Sequence, residues 1–178
     1  MRPSALLLCV AASVTGGGAR PVLAASLTPP FDPMTFFDGH TRSWGVIENR
    51  SGAPTGVITT NSQGQLDATA HLRMVQHLSF QDGTSMDRTW SLWRTGPQQY
   101  EATANDMIGT AKGISDGSKF HWQWLCARSP GNPLMNVEME QWMYQLSDGS
   151  AMIRTTVSKL GFILAEVSEH FTHPGAAE

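Results

Sequence analysis

The sequence predicts an all-β protein, an antiparallel up-and-down β-barrel of about ten strands with a short helical turn at its N-terminal end. Two observations carry that expectation. Apolar and polar residues alternate with a period of two along run after run, with almost no helical period. Asp-Gly pairs punctuate the runs at Asp82-Gly83, Asp116-Gly117 and Asp148-Gly149, where glycine can take the positive φ that a two-residue hairpin turn demands.

Residues 1–25 read as a secretory signal. Arg2 supplies a positive start, Ala5 to Val14 an apolar run, and Val22-Leu23-Ala24, with a further option at Ala25, a small-residue cleavage site. The run stops at Gly16-Gly17-Gly18, short of the roughly 20 residues that a spanning helix needs. Cys9 would be the acylated residue of a lipoprotein, but Leu8 stands where a small residue is normally required, so an anchor is disfavoured. Residues 26–178 are expected to form one domain, located in the periplasm or secreted. Cleavage leaves Cys126 alone, which excludes an internal disulfide and a multi-cysteine zinc site; its place after "FHWQWL" makes it a small core residue. A net charge of −3 gives no reason to expect a nucleic-acid partner.

The elements follow in order. "DPMTFFDGH" fits one helical turn capping an end. Strands are expected at 43–49 and 54–60, with Asn61 to Gly64 as a connection. In "AHLRMVQHLSF", Leu72, Met74, Leu78 and Phe80 share one face, interrupted by Gln76, against His71, Arg73, His77 and Ser79. Runs at 86–95 and 98–104 flank Thr95-Gly96-Pro97, and another covers 108–115. "KFHWQWLC" sets Phe120, Trp122, Trp124 and Cys126 against Lys119, His121 and Gln123, and runs at 136–147, 151–158 and 162–171 complete the set. "HPGAAE" is a loose tail. Successive hairpins without crossover helices make neighbours antiparallel, and closing the sheet removes its exposed edges.

Phe37-Asp38-Gly39, Trp44-Gly45, Asp82-Gly83 followed by Arg88-Thr89-Trp90, Gly109-Thr110-Ala111-Lys112-Gly113, Trp142-Met143-Tyr144 and Val157-Ser158-Lys159-Leu160-Gly161 together resemble the bacterial family catalogued as domain of unknown function 3833. The resemblance covers nearly the whole chain beyond residue 25. It implies a lipocalin-like barrel, export often as a lipoprotein, and a genetic setting near enzymes that modify fatty acyl chains; it implies no particular activity.

Candidate chemistry is sparse. His71 and His77 share a face but lie about 20 Å apart along a strand, too far to ligate one metal, while His121 could meet one of them across strands. His170 and His173 lie beside the terminus. Glu138 and Glu140, about 7 Å apart on one face, have a spacing compatible with general acid and base work. No nucleophile elbow, phosphate loop or dinucleotide fingerprint is present. Arg88 sits in an aromatic strand, where it would close the barrel by lying over Trp44 or Trp90, or else hold an anionic headgroup. Arg154 and Lys159 allow both readings. Met74, Met86, Met107, Met139, Met143 and Met152, spread over many strands, suit a core and equally an adaptable apolar pocket.

A barrel of eight or more strands can enclose one small apolar molecule. The expectation is therefore an exported carrier of a small apolar ligand, a fatty acyl lipid, with no cofactor or metal and with peripheral envelope association. The residues expected to meet the ligand are Trp44, Arg88, Trp90, Trp122, Trp124, Met139, Trp142, Tyr144, Arg154 and Lys159. The alternatives are an enzyme acting on a lipid inside the barrel, with Glu138, Glu140 or a histidine as base, and a structural protein that holds a partner on its outer face.

Overall fold

The computed structural model describes residues 30–129 and 131–175. The expected signal segment, with Cys9, lies outside the described residues. Ten strands form one closed antiparallel barrel: β1 (Gly39–Asn49), β2 (Pro54–Leu66), β3 (His71–Phe80), β4 (Ser85–Gly96), β5 (Gln99–Ala104), β6 (Met107–Asp116), β7 (Lys119–Cys126), β8 (Val137–Gln145), β9 (Ala151–Lys159) and β10 (Phe162–Thr172). Each strand pairs with its neighbours in sequence, and β10 returns to pair with β1 from Arg42↔Thr172 to Asn49↔Ala165. Closure leaves no unpaired edge.

Alternation decides what enters the interior. Leu72, Met74 and Leu78 of β3 are buried, as are Phe120, Trp122, Trp124 and Cys126 of β7. Gln76 is buried on the same inner face; it does not break the pattern, because the interior supplies it with polar partners.

The turn at residues 33–36 forms as α1 (Pro33–Phe36). Asp32 caps it, its carboxylate accepting from the Met34 N–H at 3.0 Å, and Pro33 occupies the first turn, where its missing N–H costs nothing. Phe31, Met34, Phe36 and Phe37 are buried and plug one end of the barrel. The Phe37 ring meets Phe171 edge-on at 5.7 Å, and Phe31 meets Phe120 at 6.5 Å. Ser115 donates to the Phe31 carbonyl and the His173 ring lies 2.8 Å from the Phe36 carbonyl oxygen, so the plug is tied from both sides. His173 therefore fastens the chain after β10 instead of belonging to a loose tail; the last residues of that tail lie outside the described ones.

Two local expectations are corrected. Asn61 to Gly64 is not a connection, since β2 runs through to Leu66 and the turn falls at residues 67–70. Small polar residues look like a loop in sequence, but here Thr60 and Ser62 line the barrel, and Gly64 gives way to the plug: a Cβ there would stand 1.8 Å from the Phe37 carbonyl oxygen. The second correction concerns turn length. Phe80 N–H donates to Thr84 O and Gly83 N–H to Phe80 O, which makes a connection from Gln81 to Gly83, and residues 147–149 repeat it. Gly83 (φ 83°) and Gly149 (φ 84°) take the left-handed position that closes such a loop. Only Asp116-Gly117 gives a two-residue turn, Gly117-Ser118, between the paired Asp116 and Lys119.

Candidate ligand-binding cavity

The inward residues of β2, β3, β4, β7, β8, β9 and β10 surround a cavity of about 160 Å³. That is close to the roughly 150 Å³ that holds one benzene-sized molecule. One wall is aromatic. Trp90 and Trp122 stack at 4.9 Å with 14° between their planes, and Trp124 meets both edge-on at 5.5 Å. Met74, Met139 and Met143 fill the wall between strands.

Most polar groups facing the cavity are satisfied in pairs. Trp90 Nε1 donates to Gln76 Oε1 at 2.7 Å, and Gln76 Nε2 donates on to Ser62. Trp122 Nε1 donates to Gln141 Oε1 at 2.7 Å, and Gln141 Nε2 donates to Thr155. Each glutamine is thus a bridge that lets a tryptophan N–H be buried without penalty. Arg88 makes a fork on Asp106, Nε and Nη2 donating at 2.7–3.0 Å, with both side chains nearly buried. Its guanidinium carbon lies 5.7 Å from the Trp90 ring centroid.

Glu169 departs from that pattern. It is 8% exposed and lines the cavity from β10. Its Oε1 accepts from Ser43 Oγ at 2.6 Å and Thr60 Oγ1 at 2.9 Å, while Oε2 has no partner among the described residues. Burial pushes its carboxyl above the usual carboxylate range, against the opposing pull of the two hydroxyls and of the Arg88 charge. Trp124 Nε1 is also buried without a partner among the described residues.

The expected ligand-contacting residues divide by face. Arg88, Trp90, Trp122, Trp124 and Met139 come together around the cavity. Trp44, Trp142, Tyr144 and Arg154 lie on the outer surface. Trp44 is covered by Arg42, whose guanidinium carbon is 4.7 Å from the ring, so it is Arg42 and not Arg88 that meets this tryptophan. Trp142 stacks between His121 (4.1 Å) and Tyr144 (6.3 Å), and Arg154 pairs with Glu166 at 2.5 Å. Lys159 ends β9, its Nζ donating to the Leu134 carbonyl in the 3-10 turn Pro133–Met135. Strand β8 explains the split: Val137, Met139, Gln141 and Met143 point in, so Trp142 and Tyr144 point out by the period of two.

Glu138 and Glu140 share that outer face. Glu140 pairs with His121 at 2.9 Å, and this contact, followed by Gln123, holds its carboxyl below the usual range. His121 meets Trp142 and Glu140 rather than His71 or His77; His71 stacks on Trp93 and His77 pairs with Asp87. The Cys126 thiol is pushed up, first by burial and then by Asp106, as befits a core residue. Among the described residues, no group of three or more His, Cys, Asp or Glu side chains is placed to hold a metal ion.

A wider cleft of about 490 Å³ lies outside the plug, against Asp32, Arg94, Tyr100 and His173. Its charges are already matched, Arg94 donating to Asp32 at 2.7 Å, and it lacks the apolar enclosure of the interior. The barrel cavity is the better candidate site.

A closed antiparallel barrel around a small, mostly apolar cavity is a lipocalin-like barrel, and the S-type phycobiliprotein lyase CPES from Guillardia theta has a similar one. The match has a TM-score of 0.61 at 9% identity and covers 79% of this chain and 89% of the lyase. At that identity the likeness is one of fold. No curated protein matches the chain. The chain belongs to the family described as protein of unknown function (DUF3833), whose model matches residues 14–173.

Proposed function

We propose that this protein is an exported, single-domain binding or carrier protein, residues 26–178, for a small apolar ligand in the barrel, and that the ligand is an acyl lipid or part of one. The carrying observation is the cavity itself: mostly apolar, aromatic walls, with the Trp90 and Trp122 N–H groups satisfied by glutamines and few polar groups left to meet a guest. Its volume admits a ring-sized or short-chain portion; a longer chain would continue past the barrel mouth. The end opposite the plug offers such a path. There the β9–β10 hairpin exposes Leu160 (84%) and Phe162 (74%), beside Leu134 (80%) across the Lys159 contact. Such a patch on the rim also supports peripheral association with the envelope. Among the described residues, no helix is long and apolar enough to cross a membrane.

Catalysis within the barrel draws no support from Glu138 and Glu140, which face outward. Lipid extraction and mass spectrometry on natively purified protein test the proposal. A stoichiometric apolar molecule is the expected result; recovery of none, with no binding of added lipid, overturns it. Intact-mass measurement on envelope-purified protein tests export: the expected chain starts near Ala25 or Ser26, and a diacylated species starting at Cys9 would contradict the unanchored reading.

A further inference from the structure

We infer that the cavity recognises a neutral carbonyl group, as in an ester, amide or ketone, with Glu169 as the anchor that donates a hydrogen bond to its oxygen. The inference rests on the cavity being a ligand site and adds the chemistry of its guest.

The argument is an account of unspent hydrogen bonds. Around the cavity Gln76 and Gln141 are engaged by the tryptophans and by Ser62 and Thr155. Among the described residues, the cavity-lining side chains with hydrogen-bonding capacity left over are Glu169 at Oε2, Arg88 at Nη1 and Trp124 at Nε1, the last fully buried within the wall. Trp124 and Arg88 can only donate. Glu169 joins them because of its neighbours. Both hydroxyls that reach it, Ser43 and Thr60, donate to Oε1, so Oε1 behaves as the carbonyl oxygen of an acid and Oε2 as the hydroxyl. Among the described residues Arg88 is the cation that lines the cavity, and its fork on Asp106 leaves little of its charge to balance a carboxylate there. A carboxylic acid held neutral in an apolar site is a hydrogen-bond donor.

A set of donors without net positive charge suits an acceptor oxygen that carries no charge. A fatty acid anion would bring a second carboxylate into a space where the one nearby guanidinium already has a partner, and its desolvation would go uncompensated. A pure hydrocarbon would leave Glu169 Oε2 without a partner. An ester, amide or ketone answers both conditions, and esters and amides are the linkages by which acyl chains are commonly attached in lipids.

The test uses four compounds small enough for the cavity: methyl butanoate, cyclohexanone, butanoate and cyclohexane, titrated against the mature protein and followed by tryptophan fluorescence and by NMR shifts of the Trp90, Trp122 and Trp124 indoles. The expected result is that methyl butanoate or cyclohexanone binds about tenfold or more tightly than butanoate and cyclohexane. The ester-to-ketone ratio distinguishes an acyl source from a cyclic one. Glu169→Gln, whose amide also donates, should keep the carbonyl affinity within about threefold, and Glu169→Leu should lower it about tenfold. Butanoate binding as tightly as the ester, or cyclohexane as tightly as cyclohexanone, overturns the inference while leaving the cavity a ligand site. Binding of none of the four counts against the ligand site itself. Should Glu169→Leu fail to fold, the ranking of the four compounds on the wild type still decides.

Discussion

Gly45 of β1 stands directly across from Glu169 of β10, so close that a Cβ on Gly45 would lie 2.5 Å from Glu169 Cγ and 2.5 Å from the Ser168 carbonyl oxygen. The missing side chain is what admits the buried carboxyl between β1 and the cavity. Gly45→Ala should therefore destabilise the fold by about 1–3 kcal/mol through overpacking. A urea melt checks this, and a midpoint equal to wild type would mean that the Glu169 side chain and the Ser168 backbone both give way freely.

Glu169 also sets a pH dependence. Its carboxyl is raised in the folded state by burial, so the folded chain holds the proton more tightly than the unfolded one. Its contribution is fully present below the ordinary carboxylate value and is lost as pH rises from there through the raised folded value. Asp67, Asp82 and Asp148 act in the opposite sense, each lowered by a Ser or Thr two residues on. The difference in stability between wild type and Glu169→Gln isolates the glutamate, and it should move in favour of the glutamine variant as pH rises. A constant difference from about pH 4 to about pH 8, a window that runs upward from the ordinary carboxylate range, would contradict a raised carboxyl.

Arg88 and Asp106 form a nearly buried fork, so removing one leaves the other charge without its partner. Arg88→Met should cost about 3–5 kcal/mol, more than loss of the Trp90 contact alone would explain. Adding Asp106→Leu should recover much of that loss. A double variant no more stable than Arg88→Met would show that packing, not the ion pair, dominates.

At the β3–β4 turn, Gly83→Val should destabilise by about 1–2 kcal/mol, since a β-branched residue resists the left-handed conformation. Asp82→Asn should leave the melting midpoint unchanged, because the asparagine oxygen can still accept from the Thr84 N–H that Asp82 now takes at 2.9 Å. Loss of ligand binding in a stable Asp82→Asn protein would make the turn part of a site.

The strands were readable because period-two alternation and Gly-bearing turns are local signals, as the expected and observed limits of β7 illustrate, both at 119–126. The interior was less so. Aromatic residues stand on both faces of the barrel, and composition does not tell Trp122, which faces the cavity, from Trp142, which faces out beside His121. Polar residues inside the barrel misled in β2, where Asn61 to Gly64 reads as a loop. Glu169 was missed although a signal existed: Val167, Glu169 and Phe171 share one parity, which places an acid on an apolar face. What no local pattern contains is the register of β1 on β10, and it is this register that joins Ser43 to Glu169.

The bond between Ser43 and Glu169 connects residues 126 apart in sequence, across the seam where the first and last strands meet. The cradle is therefore complete only when the barrel is closed. A nascent chain can zip its hairpins one after another, but Glu169 finds its hydroxyls only when the two ends join, the slowest kind of contact for a chain to make. Until then the chain has two open edges, prone to pairing with other chains, and no acid held between strands. Occupancy of the cradle is thus a readout of completed closure, and a guest bound there would lock the seam and slow its opening.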